Sequence, residues 1–187
     1  MLTSSAFHPT SLRDAIQQAA SGFDIFAVWD RYNIILDSGP PLAGSAIITD
    51  FGCGPGLLSK QIARRFGGSL QCFDPSEEML SYHKEWTADT LPSAPAPERI
   101  TRTSDPNTLI PCDICFCTWV LQHADANLPE TLAAISGATR IGGLLVTVDW
   151  DGFDMGPDAS LLRVYSHRFI HGGDARSCLS VFLKVAT

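Results

Sequence analysis

The sequence lacks any run of roughly 18 uninterrupted apolar residues, the length a membrane-crossing helix needs, although 45% of its 187 residues are hydrophobic. Met1 to Thr10 is polar and holds no long apolar stretch either. No leader and no membrane span are predicted, and the expectation is a soluble, cytoplasmic protein. Cationic residues are also scarce: 13 Lys and Arg stand against 20 Asp and Glu, a formal charge of −7. A broad electrostatic footprint on nucleic acid or an anionic membrane is therefore disfavoured, and a small-molecule partner is predicted. No internal repeat is visible, and the length suits one domain with a sizeable core.

The six cysteines, at 53, 72, 112, 115, 117 and 178, lack the spacing of a secreted disulfide framework and read as reduced thiols. Cys112 and Cys115 form a nominal C-x-x-C, but they open an apolar run that reads as a strand. Positions three apart in a strand face opposite sides of the sheet, so buried packing is expected rather than a metal or redox role.

What the sequence does contain is a strong strand–turn–helix pattern from Ala46 to Gly68. Apolar Ala46, Ile47 and Ile48 suit a buried strand, and Gly52, Gly54 and Gly56 then alternate through a turn whose backbone can approach a ligand closely. Leu58, Ile62 and Phe66 form the i, i+4, i+8 stripe of a following helix, with Gly67 as its left-handed stop. Upstream, Ser11 can cap a helix from Leu12 to Ala20, and a second helix from Phe23 ends at Gly39-Pro40-Pro41. That segment must lie over the sheet edge or across the mouth of the glycine turn. Trp29, Arg31 and Tyr32 read either as helix packing or as a lid.

Downstream, Ser69 to Asp74 is a short strand closing on an acid, and a helix begins near Pro75 and Ser76 with Glu77 and Glu78 in its positive first turn. Leu91 to Glu98 holds three prolines and reads as a surface loop. Arg99 to Thr103 and Asp113 to Thr118 are the third and fourth strands. Asn127 with Glu130 resembles a capping box, Gly142-Gly143 ends the helix it starts, and Leu144 to Trp150 is the fifth strand. Arg163 to His171 and Cys178 to Ala186 read as two strands joined across Gly172-Gly173-Asp174, although the first also reads as a helix from Ala159. The fold class is α/β: a Rossmann-like doubly wound sheet, mainly parallel, with a short C-terminal antiparallel strand pair. Residues 1–42 would form a helical cap, 43–150 a cofactor-binding core and 151–187 a shortened hairpin region of one domain.

In such a sheet ligands sit beyond the carboxyl ends of the strands, which makes the glycine turn and Asp74 neighbours. A dinucleotide fingerprint would need glycine at position 57, where this chain has Leu57. Asp50-Phe51-Gly52-Cys53-Gly54-Pro55-Gly56, the acid in Cys72-Phe73-Asp74-Pro75-Ser76, and Trp119-Val120-Leu121-Gln122-His123 after the fourth strand together resemble the class I S-adenosylmethionine-dependent methyltransferases. The resemblance covers roughly Ile47 to Trp150. It implies S-adenosylmethionine as cofactor, S-adenosylhomocysteine as product, and methyl transfer to oxygen, nitrogen, sulfur or carbon of a small molecule. Asp50 and the turn of Gly52, Cys53, Gly54 and Gly56 would hold the amino-acid end of the cofactor. Asp74 would accept both ribose hydroxyls, with Pro75 and Met79 beside it. Ser104 and Asp105 fall at the adenine side, and Cys117 and Thr118 form the floor under the sulfonium. Asp50 and Asp74 also read as caps of neighbouring turns, and Asp105 before Pro106 as a turn residue.

His123 is the candidate catalytic base, against the alternative of a histidine that packs on the cofactor or satisfies a loop carbonyl. His167, His171, Asp149 and Asp151 admit a metal-assisted site, but no metal is predicted. No Asn-Pro-Pro-Tyr motif is present, which argues against amino methylation of nucleic-acid bases by that route. The region after the fifth strand is shorter than the family's usual one. The acceptor pocket would then be open, closed by the N-terminal helices, or completed by another subunit of a homo- or hetero-oligomer, and a fold relative that holds the cofactor without transferring methyl (a cyclase, an isomerase or a non-catalytic partner) is the alternative function.

Overall fold

The computed structural model describes residues 11, 13–14, 16–17, 25–38, 44–66, 68–88, 100–124, 127–151, 153, 158–171 and 175–186. Four longer helices, α1 (Ile25–Ser38), α2 (Leu57–Arg65), α3 (Glu77–Ala88) and α4 (Leu128–Ala138), surround seven strands. The strands are β1 (Ile47–Phe51), β2 (Ser69–Phe73), β3 (Ile100–Thr103), β4 (Cys112–Thr118), β5 (Thr139–Trp150), β6 (Leu161–His171) and β7 (Ala175–Lys184). They form one sheet in the order β3-β2-β1-β4-β5-β7-β6. The first five are parallel, and β7 lies antiparallel between β5 and β6. The C-terminal strand pair is therefore present, and the helical reading from Ala159 is not.

Period-2 alternation divides the core between the two faces of the sheet. Ile48, Leu70, Phe116, Val146 and Val181 pack with Val28 and Tyr32 of α1 and with Leu58 and Ile62 of α2. Phe51, Phe73, Cys115, Leu145 and Phe182 pack with Ile135 of α4 on the other side. Arg65, at the end of α2, bonds Asn33 (2.7 Å) and Asp37 (2.5 Å) of α1, which holds those two helices side by side. Ser11 accepts the Asp14 amide at 3.2 Å, as its reading as a helix cap requires.

Several local expectations change. Helix α4 stops at Ala138 rather than at Gly142-Gly143, because Thr139 has turned to extended backbone (φ −101°, ψ 124°) and its hydroxyl takes the Ile135 carbonyl at 2.9 Å. The two glycines instead lie inside β5, where the pairing jumps from Cys112–Thr139 to Ile114–Leu144. Gly142 has φ +79°, and a Cβ on Gly143 would sit 2.9 Å from the Cys112 carbonyl oxygen, so both serve a bulge. Cys112 and Cys115 are buried as the sequence suggested, but strand parity is broken beside that bulge and the two do not face opposite sides. Cys112 and Cys115 share one face in the same buried cluster, with their thiols in contact.

Asn127 makes no capping bond, since its backbone is not extended (φ −96°, ψ 8°) and Pro129 in the first turn has no N–H to offer. The stop at Gly67, the loop at Leu91–Glu98, the turn at Gly172–Asp174, the Gly39–Pro41 break and most of the first N-terminal helix lie outside the described residues.

Candidate functional site

The carboxyl ends of β1, β2 and β4 meet at one rim of the sheet, and the glycine turn crosses it. Gly52, Gly54 and Gly56 all adopt left-handed backbone, with φ of +76°, +52° and +92°. L-residues with a Cβ adopt this conformation at a cost of roughly 1–2 kcal/mol each. The Gly52 and Cys53 amides donate to the Phe73 carbonyl at 2.8 and 2.9 Å, tying the turn to β2. The reasons for the three glycines differ. A Cβ on Gly52 would lie 2.1 Å from Val120 Cγ2, and one on Gly56 would lie 2.8 Å from the His83 ring, whereas a Cβ on Gly54 would meet nothing within 4 Å. Gly54 borders the open space above the turn.

Asp74 is joined directly to that glycine. Its Oδ2 accepts the Gly54 amide and its Oδ1 the Ser76 amide, both at 2.9 Å. The side chain is buried, and desolvation raises its pKa against the opposing pull of those two N–H groups. Each oxygen keeps lone-pair capacity for one hydroxyl donor. Pro75 is exposed beside it, and the buried Met79 lies in the first turn of α3 with its amide held by Ser76 Oγ at 3.2 Å.

Asp50 lies under the turn, 2% exposed, and its Oδ2 accepts the Ser59 hydroxyl of α2. Burial pushes its pKa up to about 7. Cys53 is buried with its thiol against Cys72. Ser104 donates to Glu77 of α3, and Asp105 caps a short 3-10 turn by accepting the Asn107 amide at 3.0 Å. Asp105 thus has a turn role in the fold as well as its place beside the rim. Cys117 is fully buried, while Thr118 Oγ1 meets the Tyr32 hydroxyl at 2.6 Å. Tyr32 is itself fully buried, with its ring 4.8 Å from Phe116, and Arg31 stacks over Phe169 at 5.8 Å. Both residues take the packing role in α1.

His123 ends the 3-10 turn Leu121–His123 and is exposed. The Trp150 amide donates to Gln122 Oε1 at 3.2 Å, which turns Gln122 Nε2 toward His123 Nε2, 3.2 Å away. An amide nitrogen can only donate, so His123 Nε2 is the accepting atom of this contact. Of the metal-site set, Asp151 pairs with Arg168 at 2.9 Å, and among the described residues no three His, Cys, Asp or Glu converge.

Two site residues escaped the sequence reading, His83 and its partner Arg102. His83 of α3, fully buried, accepts Arg102 Nε on Nδ1 at 2.9 Å and packs against Gly56. It sits four residues after Met79 and three after Leu80, so the helical period of that buried stripe carries the signal. Asp149, read in the sequence only as a candidate for a metal-assisted site, lies one residue before the end of β5.

An open left-handed glycine beside a buried carboxylate fits a cofactor bearing vicinal hydroxyls, and the acids at both strand ends suit a cation better than a pyrophosphate. A family model described as a methyltransferase domain matches residues 48–143. The chain belongs to this family and is an S-adenosylmethionine-dependent methyltransferase. No curated protein matches it.

Among solved structures, the [4+2]-cyclase SpnF is 12% identical with TM-score 0.64, covering 84% of this chain and 81% of its own. A rRNA methylase from Streptococcus thermophilus is 16% identical with TM-score 0.57, covering 78% and 90%. The 1,6-didemethyltoxoflavin-N1-methyltransferase of Burkholderia thailandensis, solved with its substrate and S-adenosylhomocysteine, is 18% identical with TM-score 0.62, covering 94% and 87%. At these identities the likeness is one of fold.

Proposed function

We propose that the protein transfers the methyl group of S-adenosylmethionine to a small-molecule acceptor in the cytoplasm. The observation that carries the cofactor half of this reading is Gly54: left-handed, open on its Cβ side, and bonded to the buried carboxylate of Asp74. When bound, the cofactor supplies a methyl group already activated on a sulfonium. The chain's own task is then positioning, with the glycine turn and Asp74 gripping one partner and the Trp119–His123 turn bounding the space for the other. The net charge of −7 disfavours a nucleic-acid acceptor. The N1-methyltransferase of the same fold solved with 1,6-didemethyltoxoflavin and S-adenosylhomocysteine supports a small-molecule acceptor class.

The test is calorimetry with S-adenosylhomocysteine, followed by transfer of labelled methyl across phenols, amines, thiols, carboxylates and ribosomal RNA. Binding with label in a small molecule is expected. Label in RNA would overturn the acceptor class, and absence of binding would overturn the reading altogether. Binding with no transfer to any acceptor would favour a non-transferring function, of which the cyclase fold is an example.

A further inference from the structure

The turn after β4 is held against strain. Trp119 is the one non-glycine residue with positive φ among those described, at +53°, and a bulky side chain in that region persists only where its surroundings impose it. Its amide donates to Val148 O at 2.6 Å and its indole to Ser177 Oγ at 3.4 Å, which fixes the residue itself. The 3-10 turn that follows, Leu121–His123, begins at Val120, whose side chain has no oxygen with which to cap it. Asp149, at the end of the neighbouring strand β5, fills that role: its Oδ1 accepts the Gln122 amide at 3.4 Å, with the Leu121 amide close enough to favour its charged form. The residue is 4% exposed, and its other oxygen, Oδ2, is buried with no hydrogen-bond partner.

We propose that Asp149 is a positioning residue of the methyl-transfer site, clamping the Trp119–His123 turn from beneath so that Gln122 and His123 are held at the acceptor side of the rim. The proposal rests on the methyltransferase reading. An oxygen left without a partner is costly in a core, and a pure packing role would be filled better by an apolar residue. What an aspartate adds is a grip whose strength depends on its proton. The ionised form makes a charge-assisted bond to the Gln122 amide and draws the Leu121 amide, and the neutral form holds both less. Burial pushes the carboxyl up to about 8, so the change falls near working pH. The other ionisable groups facing it are the Cys117 thiol from β4, the Tyr32 hydroxyl from α1 and, in register on β7, Cys178. Burial holds Cys117 and Tyr32 well above their ordinary values, which keeps both neutral through that range. Beyond them lies Arg168 of β6, paired with Asp151 just after β5.

The test is NMR on the full chain saturated with S-adenosylhomocysteine, using wild type, Asp149→Asn and Asp149→Leu. In wild type the Leu121 and Gln122 amide shifts should titrate together with a midpoint near 8. Asp149→Asn, which keeps the acceptor oxygen and removes the charge, should abolish that titration while leaving both amides protected from exchange. Asp149→Leu should cost those two amides about tenfold in protection with S-adenosylhomocysteine affinity changed by less than about twofold. Unchanged protection in the leucine variant, or a titration that survives in Asp149→Asn, would overturn the proposal. If the leucine variant fails to fold, the asparagine titration decides. Failure of wild type to bind S-adenosylhomocysteine would count against the methyltransferase reading instead, and the amide titration can still be read on the unliganded chain.

Discussion

The two halves of the carboxyl rim are held by different means. At the ends of β1 and β2 the grip is backbone geometry: three left-handed glycines, two amides on the Phe73 carbonyl and a third on Asp74. At the ends of β4 and β5 it is side chains. Asp149 caps a turn that Val120 cannot, Gln122 bridges to the Trp150 amide, and Trp119 is forced into a conformation it does not prefer. A shape made by backbone leaves a residue spacing in the sequence, whereas a shape made by contacts between distant positions leaves none. The cofactor side should accordingly break through glycine substitution, and the acceptor side through loss of single polar groups.

The sharpest division lies within the glycine turn itself. Gly52→Ala must push Val120 aside and adopt φ +76°, so we expect a loss of roughly 3 kcal/mol of stability, read as a lower denaturant midpoint. Gly54→Ala has room and should cost only about 1 kcal/mol from its left-handed backbone, yet its methyl group enters the open side of the turn. That variant should stay folded and lose S-adenosylhomocysteine affinity. Equal effects on folding in both variants would remove the distinction between a packing glycine and a ligand-facing one.

Asp74→Ala should weaken cofactor binding by about a hundredfold, close to 2.7 kcal/mol. Part of that loss would come from the turn, because the Gly54 and Ser76 amides are both released. Asp74→Asn separates the contributions. One amide oxygen remains for a backbone N–H, while the pair of acceptors for two hydroxyls is gone. Calorimetry should therefore show most of the affinity loss with a smaller fall in melting temperature.

Both halves contain a buried carboxyl, and each should appear in the pH dependence of stability. Asp50 at about 7 and Asp149 at about 8 stand above the ordinary carboxyl value of 3.8. The folded state therefore holds protons that the unfolded state has released. Their contribution is complete below about pH 4 and is lost as pH rises through 7 and 8. Unfolding free energy should fall between pH 5 and pH 8, by up to about 1.4 kcal/mol per pH unit for each of the two groups. In Asp149→Asn the upper part of that fall should disappear. A stability that rises over this range in urea titrations would show that the two carboxyls are ionised in the folded protein.

The turn and carboxylates of the proposed cofactor half were legible in the sequence because Asp50, the three glycines and Asp74 carry their geometry in their spacing. The alternating sheet was legible too, since buried parallel strands read as apolar runs. Gly142-Gly143 misled because a pair of glycines signals a helix stop and a bulge alike, and only the Cys112 carbonyl pressed against Gly143 distinguishes them. Cys112 and Cys115 misled for the same reason at one remove, as strand parity fails across a bulge. Asp149 was visible only as an acid near other acids and histidines. Its actual partner, the Gln122 amide, is a backbone group that no residue pattern reports.

The smallest expected effect concerns the residue with the plainest sequence claim to catalysis. A general base that carries the reaction contributes roughly a hundredfold or more, and His123 is placed after β4 where such a base would stand. Its Nε2, however, already accepts from Gln122, whose amide is fixed in turn by the Trp150 N–H. To take a proton from an acceptor through that nitrogen, His123 would first have to give up this bond, and transfer to a nucleophile positioned in line needs no strong base. His123→Ala should therefore lower kcat by less than about tenfold with cofactor affinity unchanged. Gln122→Ala, which frees the same nitrogen, should leave kcat level or raise it slightly. A hundredfold loss in His123→Ala, together with a pH profile following one group near neutrality, would instead make the histidine the base and the Gln122 contact a resting arrangement that the acceptor displaces.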